Sequence, residues 1–197
     1  MEHFSVAYDF NQVIKAAKLL EQQENIEIIL QGAGELMDSV RRSVEKMNVK
    51  NVKIIDRVLS RDEVAELLGQ GDALLLPLRD FGRLYIGVYS KLYEYQAVGK
   101  PIICCTEGQP AEYVRETDSG IIVKPGDHEA LAKAIFYLKE NGEAVEKMGA
   151  SGRRYVENNL SIERIGSKMI SVSHALANMR RVCRLTNADV VQITYKS

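Results

Sequence analysis

Ser90, Lys91 and Glu94 fall within GVYSKLYEYQAVGKPI, residues 87–102, which reads as a loop end, a short helix, a Gly-Lys-Pro turn and an apolar strand. An apolar run from Asp72 to Leu78 and a loop from Arg79 to Ile86 precede it. A helix that starts beyond a strand points unpaired backbone N–H groups outward and carries partial positive charge there, so Ser90 and Lys91 are placed to hold a diphosphate. Glu94 lies on the same helical face and can accept hydrogen bonds from sugar hydroxyls. The competing structural reading is a surface ion pair between Lys91 and Glu94, about 0.2–0.5 kcal/mol. Location favours the ligand, because open α/β sheets bind ligands beyond the carboxyl ends of their strands.

Other residues are less specific. Gly32-Ala33-Gly34-Glu35 joins a strand to a helix, where glycine lets a ligand approach the backbone, but a plain tight turn explains it equally well. The third glycine of a dinucleotide fingerprint is missing, which removes the main support for a nicotinamide cofactor. Thr106 to Pro110 decorates the end of the next strand, and Glu112 behind it is also explained as an acid near a helix N-terminus. Of Tyr89, Tyr93 and Tyr95, most should pack on the sheet, with Tyr89 best placed to face a ligand. His3, His128 and His174 are scattered without metal-ligand spacing, and no Gly-x-Ser-x-Gly elbow is present. No metal site is expected, and any catalysis should rest on positioning and charge stabilisation.

The elements that must position these residues alternate. Ser5 to Tyr8 is a candidate first strand, Phe10 to Gln23 a helix with Val13, Ile14, Ala17 and Leu20 at helical period, and Glu27 to Leu30 a strand. Helix Glu35 to Met47, strand Val52 to Ile55, helix Arg61 to Leu68 and strand Asp72 to Leu76 follow, the last stopped by Pro77. After the 87–102 stretch, which ends by opening strand Ile102 to Cys105, come helix Ala111 to Glu116 and strand Ile121 to Val123. This pattern predicts the α/β class, a Rossmann-like parallel sheet with helices on both faces. From Asp127, a candidate N-cap, three helices run to Met179. The expected organisation is one domain over residues 1–179 and a tail over 180–197, with Arg180, Arg181 and Arg184 and a short strand from Val190 to Thr194 in the tail.

Composition sets outer limits. The chain has 197 residues, 46% of them apolar, enough to bury a core. A formal net charge of −1 supplies no broad basic field, which disfavours nucleic-acid binding. Cys104, Cys105 and Cys183 make an odd count with two neighbours in one strand, which suits reduced thiols and a cytoplasmic location. No apolar run approaches the roughly 18 residues of a membrane span, and a soluble chain is expected.

Ser90-Lys91-Leu92-Tyr93-Glu94-Tyr95 followed by Gly99-Lys100-Pro101-Ile102 resembles the donor-binding signature of group 1 (family 4) glycosyltransferases of the GT-B architecture. Asn51 to Val58, Ala73 to Pro77, Gly120 to Pro125 and Met148 to Leu160 resemble further landmarks of that family's C-terminal domain, in order. The resemblance covers roughly residues 5 to 175. It implies a Rossmann-like domain that holds a nucleotide-diphosphate sugar for retaining transfer, with the donor as substrate and no cofactor. By position, Glu94 matches the glutamate on the donor ribose, and Ser90 and Lys91 match the diphosphate contacts. Tyr89 and Leu92 flank them as further donor-binding candidates. The turn from Gly32 to Gly34 resembles a loop that faces the donor in that family, and Arg57-Val58 matches the place where its backbone groups meet the nucleobase. None of these is a proton-transfer residue, so no catalytic residue is named.

Two departures accompany the resemblance. The acid often found eight positions before the ribose-binding glutamate is replaced by Ile86, with Asp80 as a substitute candidate. A complete GT-B enzyme also needs an N-terminal domain, which is the expected missing partner, and the chain alone is expected to be inactive. The alternatives are half of a nucleotide-sugar epimerase and a non-catalytic interaction module derived from a donor domain. A last helix uncovered over Ile162 to Met179 would favour self-association, and the tail arginines would allow membrane contact.

Overall fold

Alternation along the strands decides which side of a sheet each residue covers. The computed structural model describes residues 6–23, 25–80, 82 and 87–185. Strands β1 (Ile28–Gln31), β2 (Val52–Ile55), β3 (Leu74–Pro77), β4 (Ile102–Cys105) and β5 (Gly120–Val123) are interleaved with helices α1 (Phe10–Leu19), α2 (Met37–Lys46), α3 (Arg61–Gln70), α4 (Ser90–Val98) and α5 (Gly108–Glu116). Helices α6 (His128–Glu140), α7 (Gly142–Asn159) and α8 (Ile162–Leu185) complete the order.

β3, β4 and β5 pair in parallel in that order, with Leu74 opposite Ile102 and Ile102 opposite Gly120. Leu74, Leu76, Ile102 and Cys104 form one core with Leu92 and Tyr95 of α4 and Val114 of α5. Their sequence neighbours Ile103 and Cys105, and Val123 of β5, belong to the other core, with Val13 and Ile14 of α1 and Leu131 and Leu138 of α6. The parallel sheet is therefore covered on both faces, as alternation required. β1 and β2 form a second parallel sheet, Ile28 opposite Val52, and Leu30 joins the core that contains α1 and α6. Adjacent Cys104 and Cys105 lie in different cores, so their side chains diverge across one strand; both are free and buried. Burial pushes the Cys104 thiol up to about 12.

Two buried glutamines cross-link elements. Gln96 of α4 donates to Thr117 Oγ1 and Ser119 Oγ, each at 2.9 Å, and accepts from the Tyr113 hydroxyl at 2.6 Å. Gln12 of α1 donates to the carbonyls of Lys124 and Asp127 and accepts from Gly126 N–H, which anchors the β5–α6 turn. A buried amide needs such partners to be tolerated in a core.

Some boundaries differ from expectation. α5 starts at Gly108 rather than Ala111, because Pro110 sits in its first turn, where the missing N–H costs no helical bond. α8 runs to Leu185, past Met179. Of the expected strand Ser5 to Tyr8, Ser5 lies outside the described residues, and Tyr8 makes an isolated antiparallel bridge with Leu78. Ile86 and Val190 to Thr194 also lie outside the described residues.

The chain divides into a first unit, Met1–Val156, and a second, Glu157–Ser197. The described part of the second is the end of α7 and α8, along which Ile162 (86% exposed), Met169, Ile170 and Val172 are open to solvent. Among the described residues no helix is long and apolar enough to cross a membrane.

Candidate functional site

The starts of helices α1 to α6 fall into two groups. α1, α3 and α6 each carry a side-chain cap: Asp9 accepts from Gln12 N–H at 3.0 Å, Ser60 from Glu63 N–H at 3.3 Å, and Asp127 from Ala130 N–H at 2.9 Å. α2, α4 and α5, which follow the carboxyl ends of β1, β3 and β4, have Leu36, Tyr89 and Glu107 at the cap position and no side-chain cap bond. An uncapped start leaves first-turn N–H groups for another acceptor.

α4 is the most marked case. Its first turn holds no acid and instead carries a cation, Lys91, the wrong sign for a helix N-terminus. The Lys91 ammonium lies 4.7 Å from the centroid of the Tyr8 ring. Ser90 and Glu94 are exposed on the same helix. A bound anion here would meet both the N–H groups and the ammonium.

Neighbouring loops complete the setting. Gly32 and Gly34 take φ of 151° and 148°, values that side chains with a Cβ rarely adopt, which fixes glycine on both sides of Ala33 after β1. The Gln31 side chain donates to the Arg57 carbonyl at 3.0 Å and ties this turn to the loop after β2. Arg57 itself pairs with Glu63 at 2.7 Å, and Val58 beside it is 61% exposed. The Ser60 backbone N–H, followed by Arg57, holds the Glu63 carboxyl down to about 2. Across the other sheet, Gln109 of α5 accepts from Gly87 N–H at 2.5 Å and joins the loop after β3 to the start of α5. Asp80 accepts from Gly82 N–H at 2.8 Å in that same loop.

The structure places Ser90, Lys91 and Glu94 together at one helix start, with Tyr89 half-buried at its cap and its hydroxyl pKa raised by burial. Leu92 is fully buried in the core beside β3, so a ligand at that position could meet only its backbone. Tyr95 is buried and its hydroxyl reaches the Leu75 carbonyl at 3.4 Å, while Tyr93 stacks edge-on against Tyr113. The roles of Gln31 and Gln109 as loop ties had no signal in the sequence, because each acts on a partner 22 or more positions away. Among the described residues no group of three or more His, Cys, Asp or Glu could hold a metal ion.

The family model described as Glycosyl transferases group 1 matches residues 2–155. A Corynebacterium glutamicum GDP-mannose-dependent monoacylated alpha-(1-6)-phosphatidylinositol monomannoside mannosyltransferase is 27% identical over 165 residues, 82% of this chain and 42% of its own length. Among solved structures, Staphylococcus aureus TarM, crystallised with UDP among other ligands, superposes with a TM-score of 0.72 at 16% identity, over 86% of this chain and 34% of its own. The C-terminal domain of the group 1 protein LpcC from Francisella tularensis superposes at 0.67 with 16% identity, over 81% of this chain and 83% of that domain. The chain thus spans less than half the length of the curated relative, and it has the size and fold of a GT-B C-terminal domain.

Proposed function

Because this chain belongs to the group 1 glycosyl transferases, we propose that its first unit binds the diphosphate and ribose of a nucleotide-diphosphate sugar, as the donor half of a retaining glycosyltransferase. The observation that carries this reading is the start of α4, uncapped, without an acid in its first turn and bearing Lys91. As a purely structural helix start this arrangement is unfavourable, and a bound diphosphate offsets it. The UDP in the TarM crystal supports the same ligand class.

In this role the N–H groups near Ser90 and the Lys91 ammonium hold the diphosphate and stabilise the negative charge that grows on it as the sugar departs. Glu94 accepts from the ribose hydroxyls, and the Gly32–Gly34 turn lets the donor approach the backbone closely. Arg57 and Val58 meet the nucleobase through their backbone. None of these groups moves a proton, and the site needs no cofactor or metal. The acceptor side of the cleft comes from a second, N-terminal domain, so this chain alone binds donor weakly and transfers sugar poorly. The cytoplasm is its proposed compartment, supported by the two buried free thiols.

Calorimetry with UDP, GDP, uridine and guanosine, with and without a chelator, tests the reading. Tighter binding of a diphosphate than of its nucleoside, unchanged by the chelator, is expected. No heat from any diphosphate at millimolar concentration would sink it in favour of a non-catalytic module.

A further inference from the structure

The chain from Ala7 to Asp9 crosses the carboxyl end of β3 beside the start of α4. Tyr8 makes its antiparallel bridge with Leu78, one residue past β3, and hydrogen bonds fix it on both flanks. Arg79 N–H donates to the Ala7 carbonyl at 2.9 Å, and Asp9 N–H donates to the Pro77 carbonyl at 2.8 Å. The Asp9 carboxylate in turn caps α1. The Tyr8 ring packs against the core that holds Leu78 and Leu92 and leans on Phe10, with ring centroids 5.9 Å apart. That ring is therefore held beyond the carboxyl end of β3, where open α/β sheets take their ligands.

The Lys91 ammonium lies 4.7 Å from the centroid of this ring. A helical side chain leans toward the N-terminus of its own helix, so Lys91 reaches toward the first-turn N–H groups of α4. The helix dipole repels a cation there, and a flexible four-carbon stem lets it swing away. The negative face of an aromatic ring opposes that motion, and unlike a carboxylate it attracts the ammonium without neutralising it. The charge then stays in place for an anion at the helix start.

We propose that Tyr8 is a positioning residue of the donor site, whose ring holds the Lys91 ammonium at the start of α4 so that an incoming diphosphate meets it already in place. This inference rests on the nucleotide-diphosphate reading above and adds to it a residue from before α1. Holding the cation beforehand spares the ligand the cost of ordering it.

Calorimetry with UDP, GDP and their nucleosides on the 197-residue chain and its variants tests this. Tyr8→Leu, which keeps apolar bulk without a ring, should weaken the better-bound diphosphate about threefold and leave its nucleoside unaffected. Tyr8→Phe, which keeps the ring, should recover most of that loss. Added to Lys91→Ala, Tyr8→Leu should weaken binding no further. The Lys91 ε-protons give a readout that needs no variant: by NMR they should resonate upfield of an ordinary lysine and stay there when the diphosphate binds. Diphosphate affinity unmoved by Tyr8→Leu, an equal loss for the nucleoside, no recovery in Tyr8→Phe, an additive loss in the double variant, or an upfield shift that is absent or vanishes on binding would each overturn the proposal and leave the donor reading standing. Failure of the unaltered chain to bind any diphosphate would overturn both.

Discussion

At the scale of single residues, charge placement distinguishes Lys91 from its neighbours. A lysine in the first turn of α4 opposes the helix dipole, and its ammonium is near the Tyr8 ring rather than near an acid of its own first turn. Lys91→Ala should therefore weaken binding of a nucleoside diphosphate by about tenfold, the scale of one charge-assisted hydrogen bond, while nucleoside binding stays as it was. Glu94→Gln should weaken both, since its contact is with the ribose. Unchanged diphosphate affinity in the lysine variant, measured by calorimetry, would remove Lys91 from the site. Glu63 makes a separate prediction about pH. Its folded value of about 2 lies below the ordinary 4.5, so its contribution to stability is complete above about pH 4.5 and is lost as pH falls through about 2. Thermal melts across that window should fall more steeply for the native chain than for Glu63→Gln, which keeps the cap geometry without the charge.

At the scale of elements, the caps separate helices that hold themselves from helices that leave their ends open. The Asp127 cap was readable from residue type, because capping is local chemistry; the Ser60-x-x-Glu63 box, found only in the structure, obeys the same local rule. The Gln31 and Gln109 ties were not, because they depend on which loops the sheets bring side by side. Close packing makes a second demand that residue type does not reveal. A Cβ on Gly149 of α7 would stand 2.2 Å from the Gly99 carbonyl oxygen at the end of α4. Gly149→Ala should thus destabilise the first unit by about 1–3 kcal/mol or more, since the obstacle is backbone that cannot swing aside. Chemical denaturation that shows no loss of midpoint would refute this close approach.

At the scale of the whole molecule, the two units differ in how well they cover their apolar residues. The first has two cores on the faces of one sheet, whereas along α8 Ile162, Ile165, Met169, Ile170, Val172 and Leu176 remain exposed. A helix with that much apolar surface in water tends to associate. The chain is expected to self-associate in a concentration-dependent way, and light scattering after gel filtration should show a mass above 22.1 kDa. Met169→Lys and Ile170→Glu together should restore the monomer, and a monodisperse monomer in the native chain would count against an exposed face on α8. The match to the curated relative covers 42% of that relative's length.

The amino-acid sequence by itself determined the α/β alternation, the strands at Val52 to Ile55 and Ile102 to Cys105, and the cluster of Ser90, Lys91 and Glu94 at one helix start. These follow from side-chain period and from turn and cap residues, which act over a few positions of chain. The tertiary structure alone decided that Leu92 is core, that Gln31 and Gln109 tie distant loops, and that the described strands pair as β1-β2 and β3-β4-β5. Those features depend on which segments meet across the fold, and no local pattern records the partner that a buried amide or an open strand edge will find.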